Sequence, residues 1–197
     1  MTSGVQMHQV KVLFFVFVGL SVSACAHSPG SYEPVIPLKT GTTIERFTNL
    51  HLEATNKNEV PMVQTDRERL VNNILRQLQV TNRFKELNVA NPSPNTLNAM
   101  VEVTNYDKGN AFLRFLLAGL GQIHIDGTLT LQDRDRSDVL GTYEVNKTFA
   151  WGGLYGMGTK IEEVEEGFAA AIAEILLGKD KKAAAEVEIA EGSKHSK

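Results

Sequence analysis

The chain has 197 residues, of which 42% are hydrophobic and 22% are charged, with a formal net charge of −3. This size fits one domain, the apolar fraction is too high for a disordered chain, and the near-neutral charge gives no indication of a nucleic-acid-binding surface. No uninterrupted apolar run reaches the ~18 residues that a membrane-spanning helix needs. The single cysteine, Cys25, excludes an internal disulfide and any site built from several cysteines.

The first 24 residues are typical of an export signal, because the apolar run over residues 12–20 has signal length and small residues follow it. The ending Val-Ser-Ala-Cys at residues 22–25 resembles the lipobox of bacterial lipoproteins, in which the cysteine sulfur is alkylated and the new amino terminus is acylated. The three acyl chains attached in this way anchor a protein far more firmly than a single chain does. The residue after Cys25 is Ala26, whereas an aspartate there implies inner-membrane retention in enterobacterial lipoproteins. We therefore expect Cys25 to be lipidated and to attach the protein to the outer membrane on its periplasmic side; the alternatives are a free cysteine and an uncleaved signal anchor.

Composition then divides the mature chain into three parts. Residues 25–43 contain three of the six prolines and are predicted to be the lipidated N-terminus and a flexible tether. Residues 44–178 are predicted to form a single domain. Residues 179–197 are charged and rich in alanine, which predicts a flexible tail.

Hydrophobic periodicity predicts the elements of the domain in chain order. Alternation predicts a strand over residues 47–55, and an apolar stripe predicts a helix over residues 66–80, opened by a capping box from Thr65 to Glu68. A short strand is expected around Leu87, and alternation predicts another over residues 97–103.

The second half of the domain has the clearest pattern. Residues 122–132 alternate strictly, and residues 139–151 return as the hairpin partner. A capping box from Thr159 to Glu162 opens the last helix, which Gly178 ends, and the glutamates of its first turns (Glu162, Glu163, Glu165 and Glu166) complement the helix dipole. The order β-α-β-β-β-β-α predicts an α+β two-layer sandwich, with an antiparallel-rich sheet of about five strands and two amphipathic helices on one face.

The chain resembles a family of bacterial lipoproteins called domain of unknown function 4410. The resemblance lies in the Gly-rich apolar segment at residues 109–121, the strand that ends in Leu-Gln-Asp at residues 131–133, the hairpin return at residues 139–141 and the glycines of residues 151–153. It extends over roughly residues 50–177. The resemblance implies a small envelope lipoprotein and supplies no catalytic residues.

Two apolar segments between the predicted elements are candidates for contact with a partner or a membrane. Residues 111–120 are apolar apart from Arg114, and we expect a buried short helix or strand extension, with an exposed apolar loop as the alternative. Residues 151–159 are predicted to be a flexible glycine-rich crossover. The candidate contact residues of the two segments are Phe112, Leu113, Phe115, Leu116, Trp151, Leu154 and Tyr155.

The sequence contains no recognisable catalytic motif. His124 and Asp126 share the polar face of one predicted strand, where a metal or acid/base pair is less favoured than two solvated residues. The loop before the last helix lacks the lysine position and glycine spacing of a phosphate-binding loop. We therefore expect no enzyme activity, no cofactor and no metal.

These observations favour a lipid-anchored, non-enzymatic binding or accessory module of the cell envelope. Its expected partners are the membrane, through the lipid on Cys25, and an envelope protein of unknown identity. The alternative is a lipid-handling protein that holds an acyl chain, or contacts the bilayer through residues 111–120. An enzyme is the third hypothesis.

Overall fold

A computed structural model describes residues 28–38, 43–89, 94–117 and 119–179. The predicted signal peptide, Cys25 and nearly all of the predicted tail lie outside these residues. Among the described residues, no helix combines the length and the hydropathy that crossing a membrane would require.

Six strands form one open sheet in the order β1-β6-β5-β4-β2-β3. Their bounds are β1 Ser31–Ile36, β2 Asn49–Asn56, β3 Glu86–Leu87, β4 Thr96–Asp107, β5 Ile123–Asp133 and β6 Asp138–Phe149. The neighbours β1, β6, β5 and β4 pair antiparallel, whereas β2 runs parallel to both β4 and β3. The predicted α+β class and antiparallel-rich sheet are confirmed, with six strands in place of about five.

Four α-helices accompany the sheet: α1 Gln64–Gln79, α2 Ala111–Leu116, α3 Gly153–Gly158 and α4 Ile161–Leu176. A single 3₁₀ turn, Ile44–Arg46, precedes β2. The two long helices match the predicted ones, and they pack against each other and against the sheet. The two short helices occupy the segments that were predicted to be a buried element or a crossover.

The core lies between the sheet and the two long helices, as the strict alternation of β5 requires. Every second residue of β5 is buried, starting at Ile123, and the residues between them are half-buried on the opposite, polar face. Gly127 belongs to the buried set. A Cβ at this position would lie 3.0 Å from the ring of Phe168 on α4, so the packing favours glycine there. The other side chains that fill this layer include Leu50, Leu70, Ile74, Leu97, Tyr143 and Ile172.

The first strand corrects the predicted domain boundary. Residues 31–36 were placed in the tether, but they form β1, which pairs with β6 at the edge of the sheet. Tyr32 packs edge-on against the buried Tyr143, with ring centroids 6.5 Å apart. Pro34 is tolerated because β1 is an edge strand, where one unpaired backbone position costs little. The domain therefore begins before residue 31, and that part of the tether prediction is wrong.

Both predicted capping boxes are out of register with the observed helices. Helix α1 begins at Gln64 after the N-cap Val63, so Thr65 lies inside the helix and does not cap it. In α4 the N-cap is Lys160, and its backbone N–H donates to the carboxylate of Glu163. Thr159 is instead the C-cap of α3, and its hydroxyl donates to the carbonyl of Tyr155.

Candidate functional site

The two short helices present a continuous set of exposed apolar side chains at one end of the sheet. We call this set the α2–α3 surface, and its members are Phe112, Leu113, Phe115, Leu116, Leu117, Leu120, Trp151, Leu154 and Met157. Phe112 is 65% exposed and Leu154 is 75% exposed. Apolar side chains clustered in this way are unusual on a soluble domain and mark contact surfaces.

The structure brings six of the seven predicted contact residues into this surface. Tyr155 is the exception, because its ring packs inward against Phe149, with centroids 5.6 Å apart. The expectation that residues 111–120 are buried is wrong: the segment contains a short helix, but its apolar side chains face outward. Residues 153–158, predicted to be a flexible crossover, form α3.

The charged residue of α2 is the buried one. Arg114 is only 3% exposed, and its guanidinium donates to backbone carbonyls of α3 and of the turn before β5. Nε donates to Gly156 in α3 at 2.8 Å, Nη1 to Gly121 at 2.6 Å, and Nη2 to Thr159 at 3.1 Å. Burial lowers the pKa of Arg114 from its usual range, which the nearby Asp107 partly offsets. These bonds join α2, α3 and the start of β5, so the α2–α3 surface has a fixed backbone.

Glycines allow the backbone to close around Arg114. Gly109 has a φ of +64°, and a Cβ there would lie 2.1 Å from the carbonyl oxygen of Gln122. At Gly156 a Cβ would lie 2.1 Å from the carbonyl oxygen of Trp151. The backbone N–H of Asn110 donates to Gly121, and its side chain accepts from the N–H of Leu113 as the N-cap of α2. The glycine-and-apolar pattern of the sequence therefore encodes a close-packed base beneath an apolar surface.

The N-terminal segment enters the domain at this same end of the sheet. The ends of β4, β5 and β6 meet there, since Asp107 pairs with His124 and Ile123 pairs with Phe149. The buried Lys147 of β6 donates to the carbonyl oxygen of Ser28 at 2.7 Å and to its hydroxyl oxygen at 2.9 Å.

Gly30 completes this attachment, because its N–H donates to the carbonyl of Gly167 in α4 at 2.8 Å. A Cβ at Gly30 would lie 2.4 Å from the carbonyl oxygen of Asn146, so the chain passes too close to β6 for a larger residue. The chain is thus fastened to the domain from Ser28 onward.

His124 and Asp126, which were expected to be two solvated residues, bond each other on the polar face of the sheet. His124 Nε2 is 2.8 Å from the Asp126 carboxylate, which also accepts from Asn105 at 3.3 Å, and His124 Nδ1 contacts the hydroxyl of Thr148. Within the described part of the chain, no three His, Cys, Asp or Glu side chains come together as metal ligands would. His124 and Asp126 thus form a small polar network with Asn105 and Thr148 on this face.

A buried ionic cluster joins the two long helices to the sheet, and the sequence analysis missed it. Glu165 of α4 is fully buried and accepts from Arg69 of α1 through both oxygens, at 2.6 and 2.8 Å, and from the hydroxyl of Tyr106 at 2.5 Å. Arg69 also bonds Asp66 at 2.8 Å. The pKa of Tyr106 is raised, first by burial and then by its bond to the carboxylate, and the pKa of Arg69 is raised by its bond to Glu165.

The position of Glu165 was the available signal. It lies four residues after Ile161 and three before Phe168, on the apolar stripe of α4, so a role as a solvated partner of the helix dipole did not fit its position. A carboxylate on a buried stripe needs a cationic partner on a facing element. Arg69 supplies it from the neighbouring helix.

Solved structures resemble this chain at low sequence identity. The PelC dodecamer from Paraburkholderia phytofirmans is 10% identical, with a TM-score of 0.49, over 73% of this chain and 97% of that one. Protein XCC0632 from Xanthomonas campestris, of family DUF330, is 9% identical, with a TM-score of 0.48, over 79% of this chain and 94% of that one. No curated protein matches the sequence.

A family model described as a domain of unknown function, DUF4410, matches residues 37–153. The matched stretch includes most of the sheet, all of α2 and the glycines at the start of α3. The family that the glycine-and-apolar segments resembled is thereby confirmed. The chain belongs to the DUF4410 family.

Proposed function

We propose that this protein is a lipoprotein of the cell envelope, held on the periplasmic side of the outer membrane by lipid on Cys25, and that its domain is a non-enzymatic binding or accessory module. The signal-like residues 1–24 and the lipobox-like residues 22–25 support the anchor. The α2–α3 surface supports a role in contact rather than in catalysis.

The observation that carries this proposal is the attachment of Ser28 to Lys147. A lipid on Cys25 would be three residues from a point that is bonded to a buried side chain of the sheet. The domain would then stay at the membrane surface, because the long spacer expected from the prolines is shortened by β1. A module that works at the membrane is favoured over one that reaches across the periplasm.

The exposed apolar side chains also favour one form of the lipid-handling alternative. An enclosed acyl chain needs an apolar cavity, but the cleft between α1 and β2 is open and is lined by polar and charged side chains such as Glu53, Arg67 and Glu68. Contact with the bilayer needs only an exposed apolar surface, which α2 and α3 provide.

The anchor is tested by labelled palmitate. We expect the wild-type protein to take up the label, Cys25→Ser to lose it, and Ser23→Ala to keep it because a small residue remains before the cysteine. Label in Cys25→Ser would overturn the proposal, as would an unlabelled wild-type protein.

The location of the protein in the outer membrane is tested separately, by density fractionation of the membranes of an enterobacterial host. We expect the wild-type protein in the outer-membrane fraction and Ala26→Asp in the inner-membrane fraction. Wild-type protein in the inner-membrane fraction would overturn the outer-membrane assignment and leave the lipid anchor intact.

A further inference from the structure

We propose that the α2–α3 surface rests on the phospholipid bilayer itself, in the headgroup region, as a second membrane contact beside the lipid on Cys25. The inference rests on the proposed function, because it names the surface that the anchored domain binds. Three features carry it: the short reach of the chain from Cys25 to Ser28, the absence of acidic residues from the surface segments, and the rigidity of their base.

The reach of the chain brings this end of the sheet to the membrane. Ser28 is fixed by Lys147, and three peptide units between Cys25 and Ser28 span at most ~11 Å. The headgroup region on one side of a bilayer is itself ~5–8 Å deep. A lipid on Cys25 therefore keeps the ends of β4, β5 and β6 next to the headgroups, and these are the ends from which α2 and α3 project.

Acidic residues are absent from the two segments that carry the surface. Residues 108–122 and 150–160 contain Lys108, Arg114 and Lys160 but no aspartate or glutamate, although the whole chain carries a net charge of −3. Arg114 is buried, Lys108 is exposed and lies 3.7 Å from the carboxylate of Asp66, and Lys160 is exposed. Asp107, Glu162 and Glu163 lie just outside the two ranges and offset these three cations. Apolar side chains whose own segments contain no acidic residue can enter the headgroup region without burying a negative charge.

The rigidity of the base keeps the apolar side chains outward. Arg114 bonds carbonyls of both Gly156 and Gly121, so α2 and α3 cannot turn their apolar faces into the core without breaking bonds of a buried cation. The surface is thus formed before it meets a membrane, and binding costs little ordering. Trp151, at the start of α3, has the indole side chain that favours the headgroup region.

The test uses Trp151, which is the only tryptophan of the chain. The lipidated full-length protein is reconstituted into vesicles of phosphatidylethanolamine and phosphatidylglycerol, with and without phospholipid brominated on its acyl chains. We expect brominated lipid to lower Trp151 fluorescence at least ~2-fold, the emission to shift to shorter wavelength, and aqueous iodide to quench weakly.

A matched pair of variants distinguishes binding by the α2–α3 surface from non-specific binding by any exposed apolar side chain. Leu154 and Val80 are 75% and 77% exposed, but Val80 follows α1, at the opposite end of the sheet. A chain that begins at Ala26 retains every residue of the described structure, which lies within residues 28–179, and lacks the cysteine that would carry the lipid. For that chain we expect Leu154→Gln to lower partitioning onto the same vesicles about tenfold, and Val80→Gln to leave it unchanged.

The outcomes distinguish the two proposals. If Cys25 carries palmitate but Trp151 stays open to iodide and is not quenched by brominated lipid, the bilayer contact is overturned, the anchor stands, and the surface faces a protein. If wild-type Cys25 carries no palmitate, the proposed function fails, and vesicle binding by the chain that begins at Ala26 decides the contact alone. Equal partitioning of the Leu154→Gln and Val80→Gln chains would also overturn it.

Discussion

Helices α4 and α2 use the same kinds of side chain in opposite ways. In α4 the apolar stripe is buried and most of the glutamates face outward, whereas in α2 the apolar side chains face outward and the arginine is buried. Both helices nevertheless bury one charge, Glu165 or Arg114, and each of these charges is fully bonded. The difference is in the partners: Glu165 meets a cation and a hydroxyl, while Arg114 meets only carbonyls. In α2, the bonding of one buried charge therefore sets the orientation that an apolar stripe sets in α4.

The largest effect is expected from breaking the ionic cluster beneath α4. Glu165→Gln removes the fully buried carboxylate that accepts from both Arg69 and Tyr106 and leaves Arg69 only Asp66, so the free energy of unfolding in urea should fall by about 3–5 kcal/mol. The control is Glu166→Gln, because Glu166 is partly exposed and forms a solvated pair with Arg76, worth less than about 1 kcal/mol. Equal losses in the two variants would show that the cluster does not hold α4 to α1.

A somewhat smaller effect is expected from Arg114→Met, which keeps the length of the side chain but removes every donor. The carbonyls of Gly156 and Thr159 then lose the guanidinium, Gly121 keeps only the N–H of Asn110, and the free energy of unfolding should fall by about 2–4 kcal/mol. Hydrogen exchange should accelerate in α2 and α3 while β5 stays protected. Exchange that accelerates throughout β5 instead would mean that Arg114 supports the core rather than the surface.

The dependence of stability on pH should also differ between the two buried charges, because Glu165 is bonded to the hydroxyl of Tyr106, whereas Arg114 is bonded to carbonyls. The folded pKa of Tyr106 is raised above its usual value of 10.0, so the stability it contributes is complete below pH 10 and declines at higher pH. We expect the free energy of unfolding to fall above pH 10 by up to about 1.4 kcal/mol per pH unit. Tyr106→Phe should remove that part of the slope, and an unchanged slope in this variant would refute the assignment.

The smallest effect is expected on the α2–α3 surface. Leu116 is 54% exposed, so Leu116→Asp should change the free energy of unfolding by no more than about 0.5 kcal/mol. The same substitution at Leu176, which is fully buried in α4, should unfold the domain. Thermal unfolding of both variants provides the measurement. If Leu116→Asp unfolded the domain, the segment would be core, as the sequence had suggested.

The layered core was predictable because its signals are local. Alternation in β5 and the apolar stripes of α1 and α4 follow from which face is buried, and all three elements lie within a few residues of their predicted bounds. Strand β1 was missed because six residues with a proline carry a weak strand signal, and its pairing partner lies far along the chain.

The candidate site was predictable in its residues but not in its orientation. Composition singles out the apolar side chains of residues 111–120 and 151–159, yet a short apolar segment reads the same whether it is buried or exposed. Its orientation depends on Arg114, whose guanidinium donates to carbonyls of two segments that are far apart in the chain, one at Gly121 and one at α3. The residue pattern within a single element does not predict contacts between a side chain and the backbone of distant segments.

The position of β1 also constrains the order in which the domain folds. Ser31 is among the first residues of the domain to be synthesised, yet its hydroxyl bonds the side chain of Asn146, 115 positions later. The first strand to emerge therefore has no partner until the last strand of the sheet exists, and its pairing closes a loop that contains most of the domain. We therefore expect β1, the N-terminal strand, to be the last strand to pair, docking onto a sheet that is otherwise complete.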